Sequence, residues 1–216
     1  MIPLPGDSLA LFDQLKRMLP PRRQTLPIFP LNAVLFPGGV LPLKVFEPRY
    51  MDMAKTCLKD ASPFGVCLIR EGHETGTPAV PESVGCTARI ASWDMEQLGV
   101  LQIRTLGEDR FRIIDSRDNR KGLILAEVET LAAEDEISVP AEFLGCVAVV
   151  QKIIDSIGEE AFAKPYQYEN ASWVGHRLSE SLPIKIAAKQ KLMELSDPIA
   201  RLQILAQFLT QKGLLR

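Results

Sequence analysis

The 216-residue sequence has no apolar run long enough to cross a bilayer. A span needs about 20 consecutive apolar residues, whereas the uncharged stretch Phe143 to Val150 in the helical part has eight. Asp7 and Asp13 interrupt what would be a signal core, and Pro3 and Pro5 precede it, so no export signal is read. A cytoplasmic location, away from membranes, is the expectation. An excess of one charge sign is missing too: 25 Lys and Arg face 27 Asp and Glu, net −2. Nucleic-acid binders are usually strongly basic, so nucleic acid is not an expected partner.

Chemistry-bearing motifs are equally scarce. No G-x-x-x-x-G-K-[ST] phosphate loop, no G-x-G-x-x-G and no G-x-S-x-G elbow occurs. The two histidines are His73 and His176, and zinc sites built on histidine need closely spaced partners. His73, among glycines, reads as a solvated loop residue. Cys57, Cys67, Cys86 and Cys146 form no C-x-x-C and sit beside apolar residues, which favours buried reduced thiols over a disulfide framework or a zinc site. Spacing does not fix a Cys–His pair, because such partners meet only in the fold. Ser181 and Lys185 stand one turn apart, but Pro183 lies between them. No catalytic residue, metal or cofactor is therefore expected. Glu134-Asp135-Glu136 reads as a solvated linker, and the five arginines between Arg104 and Arg120 alternate with acids as on a balanced strand surface.

Organisation is clearer. Seven prolines between Pro20 and Pro48 forbid long helices there and favour short strands and turns. Residues 8–19 have the spacing of a short amphipathic helix, ended by Pro20-Pro21. Segments 25–31 and 40–46 read as strands around a Phe36-Pro37-Gly38-Gly39 turn, with Phe36 structural rather than an exposed finger. Glu47-Pro48 opens a helix whose buried stripe is Tyr50, Met53, Ala54, Cys57 and Leu58. Strands are then expected at 64–70, 85–93, 100–106, 109–115 and 123–130, about seven in all, which suits a barrel or a strongly bent sheet. From about Ala141 the period becomes helical. The expected stripes are Phe143, Val147, Val150, Ile154 and Ile157; Val174, Leu178 and Leu182 after an Asn170 cap; Ile184, Ala188 and Leu192; and Ile199, Leu202, Leu205, Ala206 and Leu209. Four helices with short loops make a small bundle.

The segment from Leu26 to Tyr50, LPIFPLNAVLFPGGVLPLKVFEPRY, resembles the opening of the Lon N-terminal, or substrate-binding, domain family. The likeness continues in order through Phe64–Gly72, Val84–Ile90, Leu106–Ile113 and Leu182–Leu202, and so covers about residues 25–212. It implies an α+β fold, a PUA-like β pseudo-barrel followed by a C-terminal helical bundle. The corresponding boundaries are an N-terminal extension at 1–24, a barrel subdomain at 25–133 and the bundle at 138–216. It also implies a non-catalytic module that binds unfolded or partner protein segments. A small-molecule, nucleotide or RNA ligand in the barrel cleft is the alternative. In Lon proteases the ATPase and Ser–Lys protease modules lie further along the chain. With the sequence ending at Arg216, neither is expected here. The sequence leaves the oligomeric state open. Binding surfaces are expected between barrel and bundle. The candidates are Arg49 and Tyr50 at the first helix start, and Tyr166 and Tyr168 in the loop before Asn170, tyrosine offering area and a polar tip at low entropy cost.

Overall fold

Proline-rich strands and one long hairpin build the first half of the molecule. The computed structural model describes residues 22–76 and 79–215; the amphipathic segment 8–19 lies outside them. The strands are β1 (Arg23–Leu31), β2 (Val40–Val45), β3 (Phe64–Glu71), β4 (Val80–Pro81), β5 (Val84–Gln97), β6 (Val100–Asp118) and β7 (Ile124–Thr130). Pairing runs β1-β7-β6-β5-β3, and a parallel β1–β3 ladder closes the circle. The first half of β1 pairs β7 and its last residues pair β3. Pro27 and Pro30 are tolerated because neither lies in a strand paired on both sides along its whole length. β2 pairs the start of β6, Val45 opposite Leu101 and Val40 opposite Leu106, while β7 pairs its later part. Among the described residues β2 has no second neighbour, and Pro42 suits that edge position.

Helix α1 (Pro48–Asp60) follows β2 with proline in its first turn. Its buried face, Tyr50, Met53, Ala54 and Cys57, packs on Phe29, Phe64, Val66 and Ile103 inside the barrel. Burying one such side chain contributes about 1.5–3 kcal/mol. A bundle of α2 (Leu144–Ile157), α3 (Ala171–Ser181), α4 (Ile186–Glu194) and α5 (Pro198–Gln211) makes up the second half. Its separate core holds Val150, Ile154, Leu178, Leu202, Leu205 and Leu209. Asn170 caps α3 by accepting from Trp173 N at 3.0 Å, and Asp197 caps α5 by accepting from Ile199 N at 2.9 Å.

Six points need correction. The segments 100–106 and 109–115 are one continuous strand, β6; Gly107 is no turn, because its N–H and C=O bond Gly39 O and Gly38 N, each at 2.8 Å. β4, a two-residue pairing beside β3, was not foreseen. Ile157 is exposed in the last turn of α2, and Ala188 is exposed on α4, whose inner face carries Gln190, Leu192 and Met193 instead. Glu134 is not solvated, its side chain being 5% exposed, and Arg110 is not a surface arginine. Three other expectations hold: all four cysteines are buried and unpaired, His73 is exposed, and Phe36 is fully buried. No helix among the described residues is long and apolar enough to cross a membrane.

Candidate functional site

Barrel and bundle meet at a buried carboxylate. Glu134 sits in the connection between β7 and α2, held by the ladder-like bonds Val139 N to Glu169 O and Ala171 N to Ile137 O. Arg201 of α5 reaches it with both terminal nitrogens, Nη1 to Oε2 at 2.8 Å and Nη2 to Oε1 at 2.5 Å. Ser172 Oγ donates to Oε2 at 2.6 Å, Arg110 Nη1 of β6 lies 3.1 Å from Oε1, and His176 Nε2 lies 3.4 Å from the same oxygen. Gly175 lets the Arg201 stem pass, since a Cβ there would stand 3.1 Å from its Cδ. Burial alone would raise the Glu134 carboxyl, but His176 and Arg201 outweigh it and hold it well below the usual carboxylate range. Burial lowers His176 to about 4 despite Glu134, so the imidazole is neutral near pH 7.

The same boundary is stitched by arginine donors to backbone carbonyls. Arg110 Nη1 donates to Met193 O at 3.0 Å and Leu195 O at 3.1 Å, and Arg104 Nη2 to Glu160 O at 2.7 Å. Arg177 of α3 donates to Pro37 O at 2.8 Å and to Gly38 O, clamping the Phe-Pro-Gly-Gly turn. Gly38 has φ +70°, and a Cβ on Gly39 would come within 2.7 Å of Glu180 Oε2, so this turn is structural.

Two concavities flank this framework. The first, about 330 Å³, lies between barrel and bundle above Glu134; its walls include Asp109, Leu131, Asp135, Glu136 and Trp173. The second, about 260 Å³, runs beside β2 over Phe29, Leu31, Leu43, Val45 and Tyr50. Phe46, at its rim, is 57% exposed.

The four sequence candidates fall in separate places. Tyr50 is buried, stacks on Phe29 with ring centroids 4.0 Å apart and floors the β2 groove. Arg49 is also buried. It bonds Glu47 at 2.9 Å and Gly122 O at 3.0 Å, and its guanidinium lies over the Tyr50 ring. Tyr166 and Tyr168 are half-buried around Trp173, with centroids 6.1 and 5.4 Å from it. They back the wall of the first cleft; Gln167 between them and Trp173 line it. Sequence reasoning missed Glu134, Arg110, His176, Arg177 and Arg201, whose signal lies in partners up to 140 residues apart. It also missed Phe46 as an exposed aromatic.

The family model for the ATP-dependent protease La (LON) substrate-binding domain matches residues 25–211. The chain belongs to that family. A Lon N-terminal domain protein from Xanthomonas campestris is 34% identical, with a TM-score of 0.71 over 85% of this chain and 98% of that one. The N-terminal domain of a Mycobacterium avium complex Lon protease, 17% identical, has a TM-score of 0.60 over 87% of this chain and 98% of that one, a likeness of fold. Among curated relatives, Lon protease 2 of Myxococcus xanthus is 26% identical over 88% of this chain and 24% of its own length. Protein cereblon of Danio rerio is 33% identical over 50% of this chain and 26% of its own. The chain thus spans about a quarter of the curated Lon proteases it matches.

Proposed function

We propose that this Lon substrate-binding-type chain recognises protein segments without catalysing a reaction on them, by laying an extended apolar stretch along β2. One observation carries the reading: Phe46 stands exposed beside an apolar groove that runs along a strand which, among the described residues, is paired on one side only. An added strand would take main-chain hydrogen bonds from the open edge of β2, and alternate side chains would drop into the groove. Tyr50 serves as its floor and Arg49 as the residue that fixes the helix start beneath it. Tyr166 and Tyr168 form a second proposed contact, on their half-exposed edges. The acidic wall of the barrel–bundle cleft argues against a nucleotide or RNA ligand there.

Fluorescence anisotropy of a labelled, permanently unfolded protein, reduced carboxymethylated α-lactalbumin, tests this. The parent chain is expected to bind it, and Phe46→Asp to weaken binding about tenfold, the cost of about 1.4 kcal/mol, with an unchanged melting temperature. Tyr166→Ala and Tyr168→Ala are expected to lose about 1–2 kcal/mol each if those rings are anchors. No binding by the parent, or parent-like binding by Phe46→Asp, overturns the β2 assignment.

A further inference from the structure

The outward face of α5 differs from that of every other helix among the described residues. α1 exposes Lys55 and Lys59, α2 exposes Lys152 and Asp155, and α4 exposes Lys191, as surface helices generally do. α3 is buried or half-buried throughout. On α5 the exposed residues are Gln203, Ile204, Gln207, Thr210 and Gln211, and none of them carries charge.

Gln203, Gln207 and Gln211 recur every fourth residue, so they stand in a row with Gln207 at its middle. Among the described residues their amides have no hydrogen-bond partner. The Thr210 hydroxyl, by contrast, donates to Ala206 O of its own helix at 2.9 Å. Beside the row, Phe143 and Ala206 line an open depression of about 380 Å³. Leu144, the residue after Phe143, is exposed as well, and so is Leu214 just beyond α5.

A face without charge has nothing to steer or select a charged partner. It does suit a copy of itself. In a two-fold contact the same patch lies on both sides, so residues near the axis meet their own mates. A lysine or glutamate in that place repels itself. An amide, with two donors and one acceptor group, both gives to and takes from its mate. Size limits the strength of such a contact. A helix of 14 residues is about 21 Å long and about 10 Å wide. That falls short of the roughly 800 Å² that each partner brings to a standard interface. Association through this face is therefore weak and shows only at high protein concentration.

We propose that α5 is the two-fold interface of a weak homodimer. The helices cross antiparallel, Gln207 against the partner's Gln207 and Gln203 against the partner's Gln211, with Leu144 and Leu214 at the rim. The assignment does not rest on the β2 groove, which belongs to the barrel, and its test does not involve Phe46.

Sedimentation equilibrium of the full chain, from about 5 to about 500 μM, tests the interface. The average mass of the parent is expected to rise from that of one chain toward that of two. Gln207→Glu and Gln207→Lys should each weaken self-association about tenfold or more, because like charges then meet at the axis. An equal mixture of the two variants should associate again, since opposite charges face each other across the axis. A parent that stays monomeric throughout overturns the proposal, and so does either variant associating as tightly as the parent. A mixture no tighter than the separate variants also overturns it, because Gln207 then does not meet its own mate. Gln207 is exposed, so both variants are expected to melt with the parent. If either melts early, Gln203→Glu/Gln211→Glu and Gln203→Lys/Gln211→Lys take their place, with the same expectations.

Discussion

Glu134 is one acid in a run of three, and in a one-dimensional reading nothing separates it from Asp135 and Glu136. What distinguishes it is where Arg110, Arg201, Ser172 and His176 end up, 24 to 67 residues away. A buried carboxylate with charged partners is costly to break from one side. Glu134→Gln is expected to lose about 3–5 kcal/mol in urea unfolding, and Glu134→Leu combined with Arg201→Met to cost less than the sum of the two single changes. His176 adds a pH dependence. Its imidazole titrates at about 4 when folded, against 6.5 as the ordinary value, so the unfolded chain takes up the proton first. Its contribution is fully present above pH 6.5 and lost as pH falls toward 4, at most about 3 kcal/mol. Glu180 works in the opposite sense: burial pushes its carboxyl up to about 7 despite the nearby Arg177, so it favours the fold as pH falls from 7. The difference between the stability curves of the parent and His176→Asn isolates the imidazole. That difference should shrink as pH drops from 6.5 to 4; a constant difference would contradict the assignment.

Among the elements, the helices show how much periodicity can report. The stripes of α1 and α5 were legible because each of those helices packs one face into one core, and that of α3 because Val174 and Leu178 join the bundle core although the helix is buried nearly all round. α4 was misread because its inner face meets the barrel as well as the bundle: Gln190 Nε2 donates to Val84 O at 3.0 Å, and Met193 packs with Phe36 and Val84. No hydrophobic period predicts a buried glutamine. β6 was misread for a related reason. Leu106-Gly107 has the composition of a turn, yet Gly107 is a glycine because the Phe36 carbonyl approaches it, and a Cβ there would stand 2.2 Å from that oxygen. Gly107→Ala must push the turn away and break two backbone bonds, for an expected loss of about 2–4 kcal/mol. Gly99→Ala, at φ +84° in the β5–β6 hairpin with nothing near, should lose only about 1 kcal/mol. Thermal melts of the two variants compare them directly, and equal losses would mean that the Phe36 carbonyl does not dictate the glycine. Composition singled out the two tyrosine-bearing segments, which the structure sets apart, Tyr50 under the β2 groove and Tyr166 and Tyr168 behind the barrel–bundle cleft, whereas no sequence pattern points to the groove itself, which depends on which strand is left without a second neighbour.

For the molecule as a whole, barrel and bundle have separate apolar cores, but the bonds across their boundary are mostly charge-assisted donors to carbonyls, individually worth about 1.5–3 kcal/mol. Such a boundary couples the two parts without merging them. Unfolding of the parent should be one transition, with far-ultraviolet dichroism and Trp173 fluorescence in a Trp93→Phe background tracing the same curve. Arg177→Met removes the clamp on Pro37 and Gly38 and should separate the two curves, the Trp173 signal moving at lower denaturant. Coincident curves in that variant would mean that Arg110 and Glu134 suffice for the coupling.

The closure of the barrel also sets an order of events during synthesis. Arg23 pairs with Glu129, so the first strand waits for more than a hundred residues before its partner leaves the ribosome. Pairings this distant in sequence are slow to form. Even then Glu134 has only Arg110 for company, because Ser172, His176 and Arg201 are made later. A nascent chain halted between Glu134 and Arg201 therefore carries a nearly complete barrel beside an under-neutralised carboxylate, and only translation of the last helix removes that penalty.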